Sequence, residues 1–81
     1  MNYDIEFKPR AVKDLKDFPK SARRRIMAAI ESTKDDLTGD IKKLTNFTPE
    51  YRLRVGNYRV LFEVEGDMVV IYRVVHRKDA Y

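Results

Sequence analysis

Residues 51–59 read Tyr-Arg-Leu-Arg-Val-Gly-Asn-Tyr-Arg, a stretch that predicts a β-hairpin turning at its Gly-Asn pair. Glycine and asparagine both tolerate the positive φ angles that a tight two-residue turn requires. This turn pairs Arg54 with Arg59, and because side chains alternate along a strand, Arg52 lies on the same face as both. The opposite face is apolar and comprises Tyr51, Leu53, Val55, Tyr58, Val60, Phe62 and Val64.

The arginine face of this hairpin is unusual for a purely structural sheet. Like charges directly opposite each other across a strand pair are destabilising, by up to about 1 kcal/mol. A rigid set of guanidinium groups suits the binding of phosphate, because each group forks onto two phosphate oxygens. We therefore favour a phosphate-binding site over the alternative interpretation, in which the arginines only keep an exposed sheet face soluble.

Length and composition limit the possible functions. The 81 residues predict one domain, residues 1–81, with one small core. The formal charge of +4 and the pI near 9.5 favour an acidic partner. Without cysteine and with one histidine, we expect no disulfide, no thiolate nucleophile, no metal site and no cofactor. We find no signal peptide pattern and no apolar run near the ~18 residues of a membrane span, so we expect a cytoplasmic protein.

The pattern along the chain predicts an α+β fold. Residues 2–8 alternate as in a half-buried strand, and two helices follow, the first reaching Phe18 and the second beginning at Pro19. The second helix has an apolar stripe of Ala22, Ile26, Ala29, Ile30, Thr33 and Leu37. Residues 41–50 are expected to form a loop that tucks Leu44 and Phe47 under the helices. The rest predicts a three-stranded antiparallel meander packed on the helical hairpin, in the order β-α-α-β-β-β.

The last strand, residues 68–76, follows a turn at residues 66–67, and its register depends on the length of that turn. A two-residue turn would carry Arg73 to the core, where an unpaired cation costs several kcal/mol. A three-residue turn places Arg73 and Arg77 on the arginine face, and we expect this register, with Glu63 pairing with Arg73. The core positions are then Val70, Tyr72 and Val74.

Two other polar segments suggest contacts with an anion. Residues 23–25 are three consecutive arginines, but consecutive helical residues point about 100° apart, so we favour a solvated face over auxiliary phosphate contact. The tail, residues 76–81, ends on Tyr81, which can stack on an exposed base or act on a proton. The alternative is a disordered or core-capping end.

Fixed cations without a nucleophilic dyad suit one reaction well. In RNA cleavage the 2′-hydroxyl of the substrate attacks the adjacent phosphate, so the protein need only orient the backbone, stabilise the phosphorane and manage two protons. The residues alone therefore indicate a phosphate-binding and RNA-binding domain, without establishing cleavage.

The strand, the helix pair, the hairpin, the apolar last strand and the tail His-Arg-Lys-Asp-Ala-Tyr together resemble the RelE/ParE superfamily of bacterial toxins. The resemblance covers essentially the whole chain and is most specific in the hairpin and the tail. It implies a ribonuclease that enters the ribosomal A site, cleaves the codon there and is held inactive by a cognate antitoxin. The antitoxin is expected to lay a helix or strand across exposed apolar or basic surface.

The resemblance assigns roles to individual residues. It implies that Arg59 and Arg77 stabilise the scissile phosphate, that Arg52 and Arg54 orient the RNA, and that Tyr81 stacks on a base or assists at the 2′-hydroxyl. Further RNA-binding residues are Arg73 and Lys78.

The general base is left open, because relatives carry lysines where this chain has Arg52 and Arg54, and arginine effectively never deprotonates. The candidates are Tyr81 and His76, although the expected register turns His76 away from the arginine face.

Two other functions compete with the ribonuclease. The ParE branch shares this architecture and inhibits DNA gyrase without enzymatic activity, but it generally lacks the full basic and tyrosine set. A plain RNA-binding module would leave its ligand uncut.

Overall fold

In the part of the chain that the structure describes, two helices pack on one face of a five-stranded sheet. The computed structural model describes residues 3–33, 41–43 and 50–79. The elements are β1 Asp4–Phe7, α1 Pro9–Lys16, α2 Lys20–Ser32, β2 Ile41–Lys43, β3 Tyr51–Val55, β4 Tyr58–Glu65, β5 Met68–His76 and a 3₁₀ turn, Arg77–Asp79. The predicted positions of Leu37, Leu44, Phe47 and Tyr81 lie outside the described residues. Within that part of the chain, no helix is long and apolar enough to cross a membrane.

Both helices begin beside a proline. Pro9 lies in the first turn of α1. Pro19, predicted as the first residue of the second helix, is instead the N-terminal cap of α2, one residue before its start. Ala22, Ile26 and Ile30 recur every four residues along α2 and are buried, which confirms the predicted stripe. They pack, together with Ala11 of α1, against one face of the sheet.

The β3–β4 hairpin has the predicted register. Arg54 lies opposite Arg59, and Leu53 lies opposite Val60. Gly56 begins the turn with a φ of +57°, a conformation that L side chains rarely adopt. The apolar face of this hairpin, with Val60 and Phe62 at its centre, forms the middle of the core.

The register of β5 corrects the prediction. The turn at residues 66–67 has two residues, with Glu65 opposite Met68, instead of the predicted three. A β-bulge follows, because Phe62 pairs with Ile71 while Leu61 pairs with Arg73, so Tyr72 is an extra residue. Before the bulge Val69 and Ile71 belong to the core cluster that packs against the helices. Val70 is fully buried, as predicted for a core residue, but it lies on the other face of the sheet, between Glu6 and Glu63. Tyr72 is half-buried and lies outside the core cluster, so its assignment to the core was wrong. After the bulge Val74 is in the core as predicted.

Strands at the two edges complete the sheet, whose order is β1-β5-β4-β3-β2. At one edge β1 runs parallel to β5. At the other edge Ile41–Lys43 forms β2, antiparallel to β3, where the sequence predicted only a loop. A three-residue strand is too short to produce a recognisable alternation, so this prediction was wrong.

Candidate functional site

Basic side chains occupy one half of the sheet face opposite the helices. One row across four strands consists of Lys42, Arg52, Leu61 and Arg73, and the next row consists of Arg54, Arg59 and Val75. Leu61 and Val75 are buried between these charged side chains, with 7% and 8% of their surface exposed. The predicted arginine face is therefore a continuous feature of β2, β3, β4 and β5.

The other half of the same face is acidic. In one row, Glu63 of β4 lies opposite Val70 of β5, which lies opposite Glu6 of β1. In the next row, Glu65 lies opposite Met68, which lies opposite Asp4. Opposite charges are thus separated along the strands, with the basic half nearer the β3–β4 turn. An anionic ligand is attracted to that half and repelled from the other.

Arg59 is held in place at the end of the hairpin. Its Nη1 donates hydrogen bonds to the carbonyl oxygens of Gly56 and Tyr58, both at 2.9 Å. The backbone N–H of Arg77 donates to the carbonyl of Asn57 at 2.7 Å and so ties the end of β5 to the same turn. These contacts bring Arg59 and Arg77, which are 18 positions apart in the printed sequence, to one end of the sheet.

Arg25 of α2 is a further cation at this turn. A Cβ atom built on Gly56 would lie 2.9 Å from Nη2 of Arg25, so the guanidinium group lies directly against the turn. We call Arg25, Arg54, Arg59 and Arg77 the arginine cluster. From the sequence we favoured a solvated face for Arg25. The signal that could have placed it near the sheet is its spacing of three residues from the buried Ala22, because residues three apart lie on the same side of a helix.

Arg73 is directed away from the arginine cluster, to an acid on α1. Its Nε donates to Oδ2 of Asp14 at 2.8 Å, and its Nη2 donates to Oδ1 at 3.3 Å. The same Oδ2 accepts the backbone N–H of Val74 at 3.0 Å. Asp14, not the predicted Glu63, is therefore the partner of Arg73, and the pair joins the first helix to the last strand.

The surroundings of Asp14 decide its charge. Burial alone would raise the pKa of the Asp14 carboxyl, but the hydrogen bonds from Arg73 and Val74 and the charges of Arg73 and Arg10 outweigh it, so the pKa is lowered. The hydrogen bond to Asp14 correspondingly raises the pKa of Arg73. Both groups are ionised at neutral pH, and the positive charge of Arg73 is already balanced within the protein.

Glu63 contacts the bulge residue instead. A hydrogen bond with Glu63 raises the pKa of the Tyr72 hydroxyl above its usual 10.0, with further contributions from desolvation and from the charges of Glu63, Glu65 and Glu6. Nζ of Lys8 lies 5.7 Å from the centre of the Tyr72 ring. Tyr72 is thus kept neutral in the acidic half of the face, which makes it unsuited to act as a general base.

His76 lies on the core side of the sheet, as the expected register requires. It is opposite Tyr58, and the two rings meet edge to face with centroids 5.5 Å apart. The Tyr58 ring in turn packs against Phe18 at 4.8 Å. Nδ1 of His76 accepts the backbone N–H of Lys78 at 3.4 Å, which favours a proton on Nε2. The imidazole is part of the packing under the hairpin.

The structure thus brings together some of the predicted site residues and separates others. Arg54, Arg59 and Arg77 converge with Arg25 at the hairpin end, and Arg52 lies one row further along the sheet. Exposed Lys78 follows in the 3₁₀ turn. Within residues 3–33, 41–43 and 50–79, no three His, Cys, Asp or Glu side chains are grouped so as to hold a metal ion.

Comparison with known proteins identifies the family. The family model described as ParE toxin of the type II toxin-antitoxin system parDE matches residues 5–81. The chain belongs to this toxin family. The toxin is 47% identical over 75 residues to Toxin RelE3 of Methanocaldococcus jannaschii, covering 86% of this chain and 85% of that protein.

Solved structures agree with this assignment. The toxin matches a chain of the RelB-RelE antitoxin-toxin complex from Methanococcus jannaschii with a TM-score of 0.78, 42% identity and 94% coverage of both chains. It also matches a chain of the RelBE2 toxin-antitoxin complex from Mycobacterium tuberculosis with a TM-score of 0.81 and 26% identity, covering 95% of this chain and 100% of that one. The predicted superfamily and α+β fold are confirmed. The matching family model is named for ParE, whereas these relatives are named for RelE.

Proposed function

We propose that the toxin is an endoribonuclease that cleaves mRNA in the ribosomal A site and thereby inhibits translation. The observation that carries this proposal is the arginine cluster, in which the opposed Arg54 and Arg59 are joined by Arg25 and Arg77 around one turn. A sheet under selection for stability alone does not place like charges opposite each other. Four arginine residues at one end of a sheet suit the binding of a phosphate backbone.

The reaction follows from what these groups supply. The 2′-hydroxyl group gives up its proton as its oxygen attacks the adjacent phosphorus. The bond from phosphorus to the 5′-oxygen breaks and that oxygen takes up a proton, so the products are a 2′,3′-cyclic phosphate and a 5′-hydroxyl. Negative charge grows on the phosphorane oxygens in the transition state, where donors already held in place stabilise it most effectively. Arg59 meets this requirement because two carbonyl groups fix its guanidinium group at the turn.

In this proposal we assign proton transfer to the C-terminal tail of the chain. No arginine is a credible base, and the packing of His76 against Tyr58 on the core side makes that histidine a poor candidate. Tyr81 is then the favoured residue for assisting the 2′-hydroxyl or stacking on a base. Its side chain lies outside the described residues, so its role is a prediction from the sequence.

Arg52 and Lys78 extend the proposed RNA-binding surface on either side of the arginine cluster. We assign Arg73 a supporting role, because its guanidinium group makes two hydrogen bonds to Asp14. The proposed partners are the ribosome with its mRNA and a cognate antitoxin. The antitoxin is supported by the solved relatives, which are complexes of a toxin with an antitoxin.

Inhibition of DNA gyrase is the second candidate function, and one observation favours it. The matching family model is that of the ParE toxin, and the sequence resemblance associates the ParE branch with inhibition of DNA gyrase. In that case the arginine cluster would contact an acidic protein surface, and the message would stay intact.

A map of mRNA 5′ ends by primer extension tests the proposal. The toxin is added to a translating extract, with ribosomes present or absent, beside Arg59→Ala, Tyr81→Phe and the matched control Lys13→Ala on the exposed side of α1. We expect ribosome-dependent, codon-phased cuts that Lys13→Ala retains. We expect Arg59→Ala to lose roughly 100-fold in rate, as for removal of one transition-state donor. Intact message together with inhibited supercoiling by purified gyrase would establish the second candidate instead.

A further inference from the structure

Tyr72, the extra residue of the β-bulge in β5, lies on the face of the sheet that carries Arg54 and Arg59. Its hydroxyl group is hydrogen-bonded to Glu63, which belongs to the acidic half of that face. The ring is half-buried and lies outside the core cluster. A β-bulge re-aims a side chain, and bulges are frequent beside functional sites. This bulge adds an aromatic ring to a face whose rows consist mainly of charged residues.

The ring lies at the boundary between the basic and the acidic half of the face. On one side of it along β5 is Arg73, in the row that also contains Arg52. On the other side, beyond the buried Ile71, is Val70, in the row that contains Glu63. A phosphate group is attracted by the basic row and repelled by the acidic row, whereas an uncharged nucleobase is repelled by neither. An RNA strand can therefore place a base at this boundary while its phosphates stay on the basic half.

The distance along β5 suits a nucleotide that is bound at the arginine cluster. Val75, which lies opposite Arg59, is three residues from Tyr72. Three residues of strand correspond to about 10 Å. This is close enough for a nucleotide to reach the ring with its base while Arg59 holds the adjoining phosphate.

Two contacts hold the ring in place. The Tyr72 hydroxyl donates its hydrogen bond to the Glu63 carboxylate, and Nζ of Lys8 lies 5.7 Å from the centre of the ring. A ring fixed in this way loses little conformational freedom when a ligand stacks on it. Lys8 is a long side chain that is 45% exposed, so a flat base can replace its ammonium group over the ring.

We propose that Tyr72 is a stacking platform for one nucleobase of the RNA substrate, with the adjoining phosphate on the basic half of the face. This inference rests on the proposed function for the RNA, but it concerns binding and not the cleavage step. Tyr72 is a positioning residue, because stacking on its ring fixes the strand relative to Arg59. Every base has a flat π surface, so the platform accepts any sequence.

The affinity for two short single strands tests this inference. One strand is an RNA whose 2′-hydroxyl groups are methylated, so that it is not cleaved, and the other is the same methylated chain without bases. Fluorescence anisotropy measures both for the wild type, for Tyr72→Leu and for the matched control Tyr72→Phe, which keeps the ring. We expect Tyr72→Leu to bind the strand with bases about tenfold more weakly and the strand without bases like the wild type. Tyr72→Phe should bind both strands like the wild type.

Photocrosslinking of the wild type is a second measurement that does not depend on the folding of a variant. Iodouracil in an RNA strand reacts, on irradiation, with aromatic side chains that stack on it. Cleavage by trypsin after Arg59 and Arg73 releases residues 60–73, a peptide in which Tyr72 is the only tyrosine. We expect a crosslink on this peptide at Tyr72.

The possible results separate this inference from the proposed function. Equal weakening of Tyr72→Leu toward both strands would overturn the platform, because a loss that does not depend on the bases is structural. So would unchanged affinity of Tyr72→Leu for the strand with bases, a crosslink map without Tyr72, or a wild type that binds neither strand. If the wild type leaves the message intact while Tyr72→Leu loses only base-dependent affinity, the ribonuclease is rejected and the platform is supported. If the message is cut and Tyr72→Leu cuts it with the KM of the wild type, the platform is overturned and the ribonuclease stands.

Discussion

Asp14 of α1 and Arg73 of β5, 59 residues apart in sequence, form a two-point ion pair at the edge of the sheet. The register of β1 with β5 ends at Ile71, so β1 does not cover the edge of β5 at residue 74. Asp14 fills that position, because its carboxylate accepts the backbone N–H of Val74 as well as the guanidinium group. One side chain thereby satisfies a buried backbone donor, balances a cation and fixes α1 against the last strand.

Removal of the Asp14 carboxylate should destabilise the fold. We expect Asp14→Ala to lower the free energy of unfolding by about 2 kcal/mol, since hydrogen bonds to charged groups contribute about 1.5–3 kcal/mol and Arg73, 38% exposed, can be partly resolvated. Asp14→Asn keeps an acceptor for Val74 and should lose about half as much. Urea unfolding measures both, with exposed Asp17→Asn as the control. Equal stability of Asp14→Ala and the control would contradict this role.

The same pair predicts how stability changes with pH. The folded-state pKa of Asp14 lies below its usual 3.8, so its contribution is fully present above that value and is lost as the pH falls through the folded-state pKa. We expect the stability difference between the wild type and Asp14→Asn to be constant near neutral pH and to shrink below about pH 4. Urea midpoints measured from acid to neutral pH provide the check. A difference that grows on acidification would mean that the pKa shift has the opposite sign.

Much of the fold could be predicted because local rules decide it. The Gly-Asn turn fixes the pairing of Arg54 with Arg59, and one buried stripe fixes the orientation of α2. The bulge at Tyr72 could not be found this way. Residues 69–71 are all apolar, so β5 has no alternation in this segment from which to derive its register. The bulge achieves what a three-residue turn would have achieved, since it keeps Arg73 out of the core.

Parts of the candidate site depend on contacts between distant segments. Periodicity places Arg25 beside the buried stripe of α2, but only tertiary packing brings it to Gly56. The partner of Arg73 was assigned to Glu63 because cross-strand pairing is the nearest rule available, whereas the actual partner lies on a helix. Sequence patterns within one element carry no information about which segments meet.

Alanine substitutions at two glycines with similar backbone angles should distinguish an effect on stability from an effect on activity. Gly56 and Gly66 have φ values of +57° and +62°, so alanine at either position should cost about 1 kcal/mol of left-handed strain. A Cβ at position 56 also displaces the guanidinium group of Arg25, whereas nothing lies within 4 Å of one at position 66. We expect similar losses of thermal stability but reduced message cleavage only in Gly56→Ala. Equal activity of the two variants would show that Arg25 is dispensable at the turn.

The salt dependence of the affinity for RNA should report how many phosphate groups the arginine cluster contacts. Each phosphate neutralised on a single strand contributes about 0.7 to the slope of log affinity against log salt concentration. We expect Arg54→Ala to reduce that slope by about 0.7 and to weaken binding similarly for all sequences, while Lys13→Ala leaves the slope unchanged. Fluorescence anisotropy with a short single-stranded RNA provides the measurement. An unchanged slope in Arg54→Ala would place this residue outside the RNA contact.

A charge reversal at Arg54 should abolish function more completely than truncation. Arg54→Glu places a carboxylate opposite Arg59, on the face proposed to bind RNA. We expect loss of message cleavage, because a carboxylate repels the phosphate backbone, and we expect Arg54→Ala to retain more activity than Arg54→Glu. Primer extension on the same message measures both variants, with Lys13→Glu as the matched charge reversal on the exposed side of α1. Retained cleavage in a folded Arg54→Glu toxin would show that the opposed arginines serve a purpose other than binding the phosphate.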